Sequence, residues 1–293
     1  MKPASGTLCG NSPRVESINS SSFKPISALR FRCDELAILL LGMALGISPR
    51  IKFVNEITST RERKAVGRTV VFIHGSGLAG IANWPNQVEG FADAVFLTMP
   101  GYGDEAPAAT NMDEWVDRVL DLDGEMDVVA HSYGGLPAIF AAAQAPERVR
   151  TLTLFEPAAY SYARGQKNAE SMIERMAPIV DRASNMSADD YHVSFVTTLT
   201  GSQAGKPETA SELVAAKRNQ VLAAPWSFDL PKDVLSVVPT LVLTGAWSDE
   251  YEEIGQTMAG AGARHTQLVG FGHRVQDHPD ANSAIGSWVL LHA

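Results

Sequence analysis

Six short segments of this chain are apolar throughout rather than alternating, and helix-type segments separate them. The six are TVVFIHG (69–75), DAVFLTMPG (93–101), DVVAHS (127–132), RTLTLFEP (150–157), PTLVLTG (239–245) and HTQLVGFGH (265–273). A strand with one wet face alternates apolar and polar residues, whereas a strand covered on both faces does not. Between the runs lie NMDEWVDRVLDL, GGLPAIFAAAQA, EYEEIGQTMAGA and PDANSAIGSWVLLH, all with apolar residues at three-to-four spacing. Strands alternating with helices and buried on both sides imply a doubly wound, mostly parallel α/β sheet.

The alternation breaks once. From Ala158 to Val238 the pattern is helical only, through NAESMIERMAPIVDRA, ADDYHVSFVTTL and TASELVAAKRNQVL. Open α/β sheets bind ligands at their carboxyl edge, and eighty or so residues of helix inserted there read as a cap over that edge. The alternative is a helical excursion against the side of the sheet with no part in binding. The expected organisation is thus a poorly structured extension over 1–48, a core over 49–157 and 239–293, and a helical cap over 158–238.

Composition removes several classes of function. A formal net charge of −9 with no Lys/Arg-rich stripe argues against nucleic acid as a partner. Cys9 and Cys33 offer neither zinc spacing nor a disulfide framework, which suits a reducing, cytoplasmic setting. LAILLLGMALGI (36–47) is too short to span a bilayer, which takes roughly 20 residues. The polar lead ahead of it, ending in Asp34 and Glu35, is wrong for a signal peptide. No stable membrane association is expected, and Met43 reads as an alternative natural start.

Chemistry concentrates at DVVAHSYGGLPAIF (127–140). A serine between a strand and a helix is lifted out of the chain by a tight, strained turn. The residues two before and two after it must be small, and here they are Ala130 and Gly134. The G-x-S-x-G elbow therefore appears as Ala-His-Ser-Tyr-Gly, with Ser132 as candidate nucleophile. The helix that follows presents free N–H groups and the positive end of its dipole beside the serine. His273, in GFGHRVQDHPD after the last strand-like run, can reach a serine on the same sheet edge and act as its base. The plain alternatives are an ordinary loop serine and an exposed loop histidine.

With HGSG at 74–77, AHSYGG at 130–135, TLVLTG at 240–245 and GFGH at 270–273 in this order, the chain resembles the α/β-hydrolase superfamily over roughly residues 66–293. It looks most like the bacterial, largely uncharacterised capped serine hydrolases whose sixth strand ends in Glu-Pro. The resemblance implies an α/β-hydrolase fold with a helical cap after strand six, counted as the family counts. It also implies an oxyanion hole from the amides of Tyr133 and of Ser76 or Gly77, with His74 structural. The acid stays open. The common arrangement places it three positions after the glycine ending strand seven; from Gly245 that is Ser248, with Asp249 one later. Some relatives place it after strand six, where Glu156 stands. Either carboxylate could orient the imidazole, while Glu156 could instead hold the cap hinge and Asp249 could cap a helix.

The expected activity is hydrolysis of a carboxylic ester or related acyl bond of a small hydrophobic molecule, through an acyl-enzyme and without cofactor or metal. Trp84, Phe155, Tyr160, Trp226 and Trp247 are candidate pocket residues, or simply core. Two alternatives remain: carbon–carbon bond hydrolysis of a ring-fission product, and a non-catalytic ligand-binding member of the fold. Serine at 132 argues against haloalkane dehalogenase or epoxide hydrolase chemistry, which needs a carboxylate nucleophile. GSGLAG (75–80) matches a dinucleotide fingerprint, but the next strand ends LTMPG without the ribose-binding acid. The HRVQDHPD cluster lacks a matching metal-ligand set elsewhere.

Overall fold

The computed structural model describes residues 68–293. The extension, the 36–47 run, Cys9, Cys33, Met43 and the first part of the expected core therefore lie outside the described residues. Among the described residues, six strands form one sheet in the order β2-β1-β3-β4-β5-β6, and every pairing between them is parallel. They are β1 (Thr69–Ile73), β2 (Val95–Leu97), β3 (Met126–His131), β4 (Val149–Phe155), β5 (Thr240–Thr244) and β6 (Arg264–Gln267). The helices are α1 (Gln87–Gly90), α2 (Met112–Leu120), α3 (Gly135–Gln144), α4 (Lys167–Val180), α5 (Ala188–Thr200), α6 (Ala210–Val221), α7 (Val234–Val237), α8 (Asp249–Gly260) and α9 (Ala281–Leu291).

Helices cover both faces, which is why β3 and β5 are buried at every residue. Side chains alternate between the two layers. Val71, Ile73, Val128, Ala130, Leu152, Leu154 and Val242 face the layer that contains α2, α3 and α8. Phe72, Val129, Phe155, Leu241 and Leu243 face the other layer, with Ala281 and Ile285 of α9. The strands departed from expectation at the sheet's edges. Only Val95–Leu97 of the second run pairs, and the last strand stops at Gln267. Residues 268–273 leave the sheet through Gly270 (φ 110°) and Gly272 (φ 55°), a left-handed path that glycine takes without a Cβ clash.

Between β4 and β5 the described residues hold helices and 3-10 turns but no strand. Local signals start these helices. Ser187 accepts from the Asp190 amide at the head of α5, and Thr209 with Glu212 forms a capping box on α6. α5 stops at Gly201 in the left-handed region. The strand order reverses direction between β1 and β3, so the crevice at their carboxyl ends is where such a sheet opens to a ligand.

Candidate active site

Ser132 sits in that crevice, one residue past β3, with φ 52°. A non-glycine residue held in the left-handed region costs of order 1–3 kcal/mol and persists where surrounding packing over-determines it. The packing is visible at Gly134, where a Cβ would lie 2.3 Å from the His74 carbonyl oxygen and 2.9 Å from that of Ile73. At Gly135 a Cβ would lie 2.9 Å from that of Pro157. Both glycines let the corner close, and the Ala158 amide donates to the Ser132 carbonyl at 3.1 Å.

A line of hydrogen bonds starts at Ser132. The Ser132 hydroxyl donates to His273 Nε2 at 3.0 Å, and His273 Nδ1 donates to Glu156 Oε2 at 2.7 Å. Glu156 is fully buried and follows β4 in the same strained conformation, φ 41°. Two further donors converge on it: the Gly245 amide at 2.9 Å to Oε1, and Trp247 Nε1 at 2.9 Å to each carboxyl oxygen. Asp249 is not brought to the histidine. It is exposed and is the first residue of α8, whose cap position is Ser248. Neither the acid nor the N-cap reading of Asp249 fits that position.

His131 and Tyr251 flank the imidazole. His131 Nε2 donates to the His273 carbonyl at 2.9 Å, and the two rings lie 4.8 Å apart. Burial, and then the neighbouring His273, hold His131 well below the usual histidine range. It is therefore a neutral prop, with its Nδ1 buried and unpartnered. The Tyr251 ring stacks on His273 with centroids 4.9 Å apart. Burial raises that phenol well above its ordinary value. The sequence reading missed both residues. The signal was weak: His131 directly precedes the serine, and Tyr251 falls near the strand-end position where an acid was sought.

Ser76, Gly77, Tyr133, Ser132 and His273 all border one cavity of about 340 Å³. No hydrogen bond uses the Ser76 amide among the described residues. The Tyr133 amide lies in the opening 3-10 turn, where first-turn N–H groups lack intrahelical partners. His74 is buried and pushed down to about 4 by that burial. It donates from Nδ1 to Gly75 O at 2.7 Å and accepts from the Met99 amide at 3.1 Å, which pins the loop after β1.

The rest of the wall is largely apolar. It comes from Met176 and Val180 of α4, Tyr191, Phe195 and Leu199 of α5, and Leu222 to Trp226 after α6. Of the candidate pocket aromatics, Tyr160 and Trp226 line this cavity. The other three do not. Trp84 and Phe155 are fully buried in the opposite layer with Phe72, because their positions in the fold carry them to that face of the sheet. Trp247 is spent on Glu156. Asn83 and Arg274 line the cavity unanticipated. Arg274 is paired with Asp277 and reaches the Asn83 carbonyl at 3.3 Å, so its charge is already answered.

Comparison with known proteins bears on these features. A family model described as "Alpha/beta hydrolase family" matches residues 70–284. Over 145 residues, 44% of the chain, the sequence is 35% identical to the dihydrolipoyllysine-residue acetyltransferase component of the acetoin cleaving system of Cupriavidus necator. Over 109 residues, 33% of the chain, it is 35% identical to 2-hydroxymuconate semialdehyde hydrolase of Pseudomonas sp. strain CF600. The chain spans 38% of the length of each of these curated relatives. The solved structure of MenH from S. aureus superposes with a TM-score of 0.54 at 20% identity, covering 80% of this chain and 97% of that one, a likeness of fold.

Proposed function

The chain belongs to the alpha/beta hydrolase family, and from that premise we propose that it hydrolyses a carboxylic ester or related acyl bond through an acyl-enzyme on Ser132. The observation that carries the reading is the unbroken line Ser132–His273–Glu156 at 3.0 and 2.7 Å. His273 Nε2 takes the hydroxyl proton as Oγ adds to the substrate carbonyl. Glu156 holds the Nδ1 proton in place and stabilises the imidazolium that forms. The carbonyl electron pair moves onto oxygen, and the amides of Tyr133 and of Ser76 or Gly77 receive it. His273 then gives its proton to the leaving alcohol. Water, deprotonated by the same imidazole, releases the acid and restores Ser132.

The helices between β4 and β5 act in this reading as a cap, since α4, α5 and the segment after α6 supply most of the apolar wall. Such a wall suits a small hydrophobic acyl or aromatic group. A second reading, carbon–carbon bond hydrolysis of a ring-fission product, draws support from the hydrolase of Pseudomonas sp. strain CF600. The test is a panel of p-nitrophenyl esters and a dienoate ring-fission product, run on wild type and Ser132→Ala, with a fluorophosphonate probe reporting the nucleophile. Esters turned over and Ser132 labelled support the proposal. A Ser132→Ala protein as fast as wild type on every active substrate would end it.

A further inference from the structure

Two buried phenols, each tied to one side of the proposed oxyanion hole, are both gripped by the same cap element. On one side, the Tyr102 hydroxyl donates to the Ser76 carbonyl at 3.1 Å. That carbonyl belongs to the peptide whose N–H is Gly77's, so the bond fixes which way the Ser76–Gly77 peptide faces. On the other side, the Tyr133 hydroxyl accepts from Thr110 Oγ1 at 2.9 Å and donates to the Ala223 carbonyl at 2.9 Å. The Ala223 amide closes the ring by donating to Thr110 Oγ1 at 3.2 Å. Trp115 stands edge-on to both phenol rings, 6.0 Å from Tyr102 and 5.5 Å from Tyr133.

Ala223 lies two residues past the end of α6. Arg218, in the last turn of α6, grips the other phenol's loop. Its guanidinium lies 5.3 Å from the centroid of the Tyr102 ring. It donates to the carbonyls of Gly101 at 2.8 Å, Gly103 at 2.8 Å and Glu105 at 3.2 Å. Gly101 and Gly103 are both in the left-handed region, which coils the loop so that its carbonyls converge on one cation. A planar fork of five donors suits such a cradle, and a lysine would not span it.

We infer that α6 is a strut that sets the oxyanion hole, with the Gly77 N–H as the donor after β1: Arg218 through Tyr102, and the Ala223 peptide through Tyr133, hold the Ser76–Gly77 and Tyr133 peptides at their working separation. Arg218 and Tyr102 are positioning residues, and neither touches substrate in this arrangement. The inference rests on the proposed acyl-transfer reading. A strut of this kind stabilises the oxyanion and leaves ground-state binding alone, so its signature is a loss in kcat rather than in KM.

The experiment uses the full chain, p-nitrophenyl butyrate and an alkyl trifluoromethyl ketone. In the ketone adduct Ser132 Oγ bonds to the carbonyl carbon, the serine proton passes to His273, and the carbonyl oxygen becomes an oxyanion without a leaving group. Tyr102→Phe keeps the ring and removes the donor. It is expected to lower kcat by about tenfold, leave KM within about twofold, and weaken the ketone by the same factor as kcat. Arg218→Gln should do likewise, and the double variant should lose little more than either, because both lie on one arm. Unchanged kcat, or a kcat loss with unchanged ketone affinity, in both single variants would overturn the strut while wild type still hydrolyses the ester. A wild type that neither forms an acyl-enzyme nor binds the ketone would overturn the acyl-transfer reading, and the strut with it.

Discussion

The indole of Trp247 forks across Glu156, with Nε1 2.9 Å from each carboxyl oxygen. With the Gly245 amide and His273, it leaves the carboxyl group one orientation. Trp247→Phe is predicted to lower kcat by roughly tenfold on a p-nitrophenyl ester, since one of three N–H donors to the carboxyl group is lost while the Gly245 amide and His273 remain. Glu156→Gln is predicted to cost about four powers of ten, as loss of a triad acid does. Asp249→Asn should stay within about twofold. Steady-state kinetics on purified variants decides among these, and a large loss at Asp249 with little at Glu156 would reverse the assignment.

Closeness of backbone rather than chemistry sets the second prediction. Gly134→Ala puts a Cβ 2.3 Å from the His74 carbonyl oxygen. Either the strained corner at Ser132 opens or β1 shifts. The variant should lose about 2–4 kcal/mol in urea unfolding and label poorly with fluorophosphonate. An alanine variant of native stability would mean the corner is looser than its contacts indicate.

The third concerns pH. His74 is lowered to about 4 and His131 well below its ordinary value, both by burial. In the unfolded chain each titrates near 6.5. Below that pH the unfolded state binds protons that the folded state refuses, so their stabilising contribution is complete above about pH 6.5 and is lost as pH falls. For His74 alone the loss approaches roughly 3 kcal/mol by pH 4. Urea midpoints should therefore fall between pH 6.5 and 5, and His74→Gln should flatten that slope. An unchanged slope in the variant would contradict the assignment.

The fourth tests the cavity. Leu199 of α5 lines it. Leu199→Trp fills part of about 340 Å³ and should shift preference toward short acyl groups. The ratio of kcat/KM for octanoyl over acetyl p-nitrophenyl esters is expected to fall about tenfold. An unchanged ratio would place the acyl group elsewhere.

Much of this architecture was legible in the residues. Unalternating apolar runs marked the parallel sheet, and the small residues around Ser132 marked the tight corner found there. Which carboxylate meets the imidazole was not legible, because Glu156 and Asp249 both follow strands and only the paths after β4 and β5 decide it. The aromatics misled for a related reason. Composition makes Trp84, Phe155 and Trp247 look like a pocket, whereas side-chain direction sends two of them to the far layer and the third to a carboxylate. Tyr102, Tyr133 and Arg218 carried no local signal as a set, since their partners lie far away along the chain.

Ser132, Glu156 and Ala246 close three neighbouring strands, each with a side chain in a backbone region where glycine would rest more easily. Under the proposed acyl-transfer reading, heat resistance and turnover therefore pull in opposite directions at Ser132 and Glu156. A breeder who selected variants for survival at high temperature alone would be expected to collect relaxed corners there first, and to recover a sturdier protein that had forgotten its chemistry.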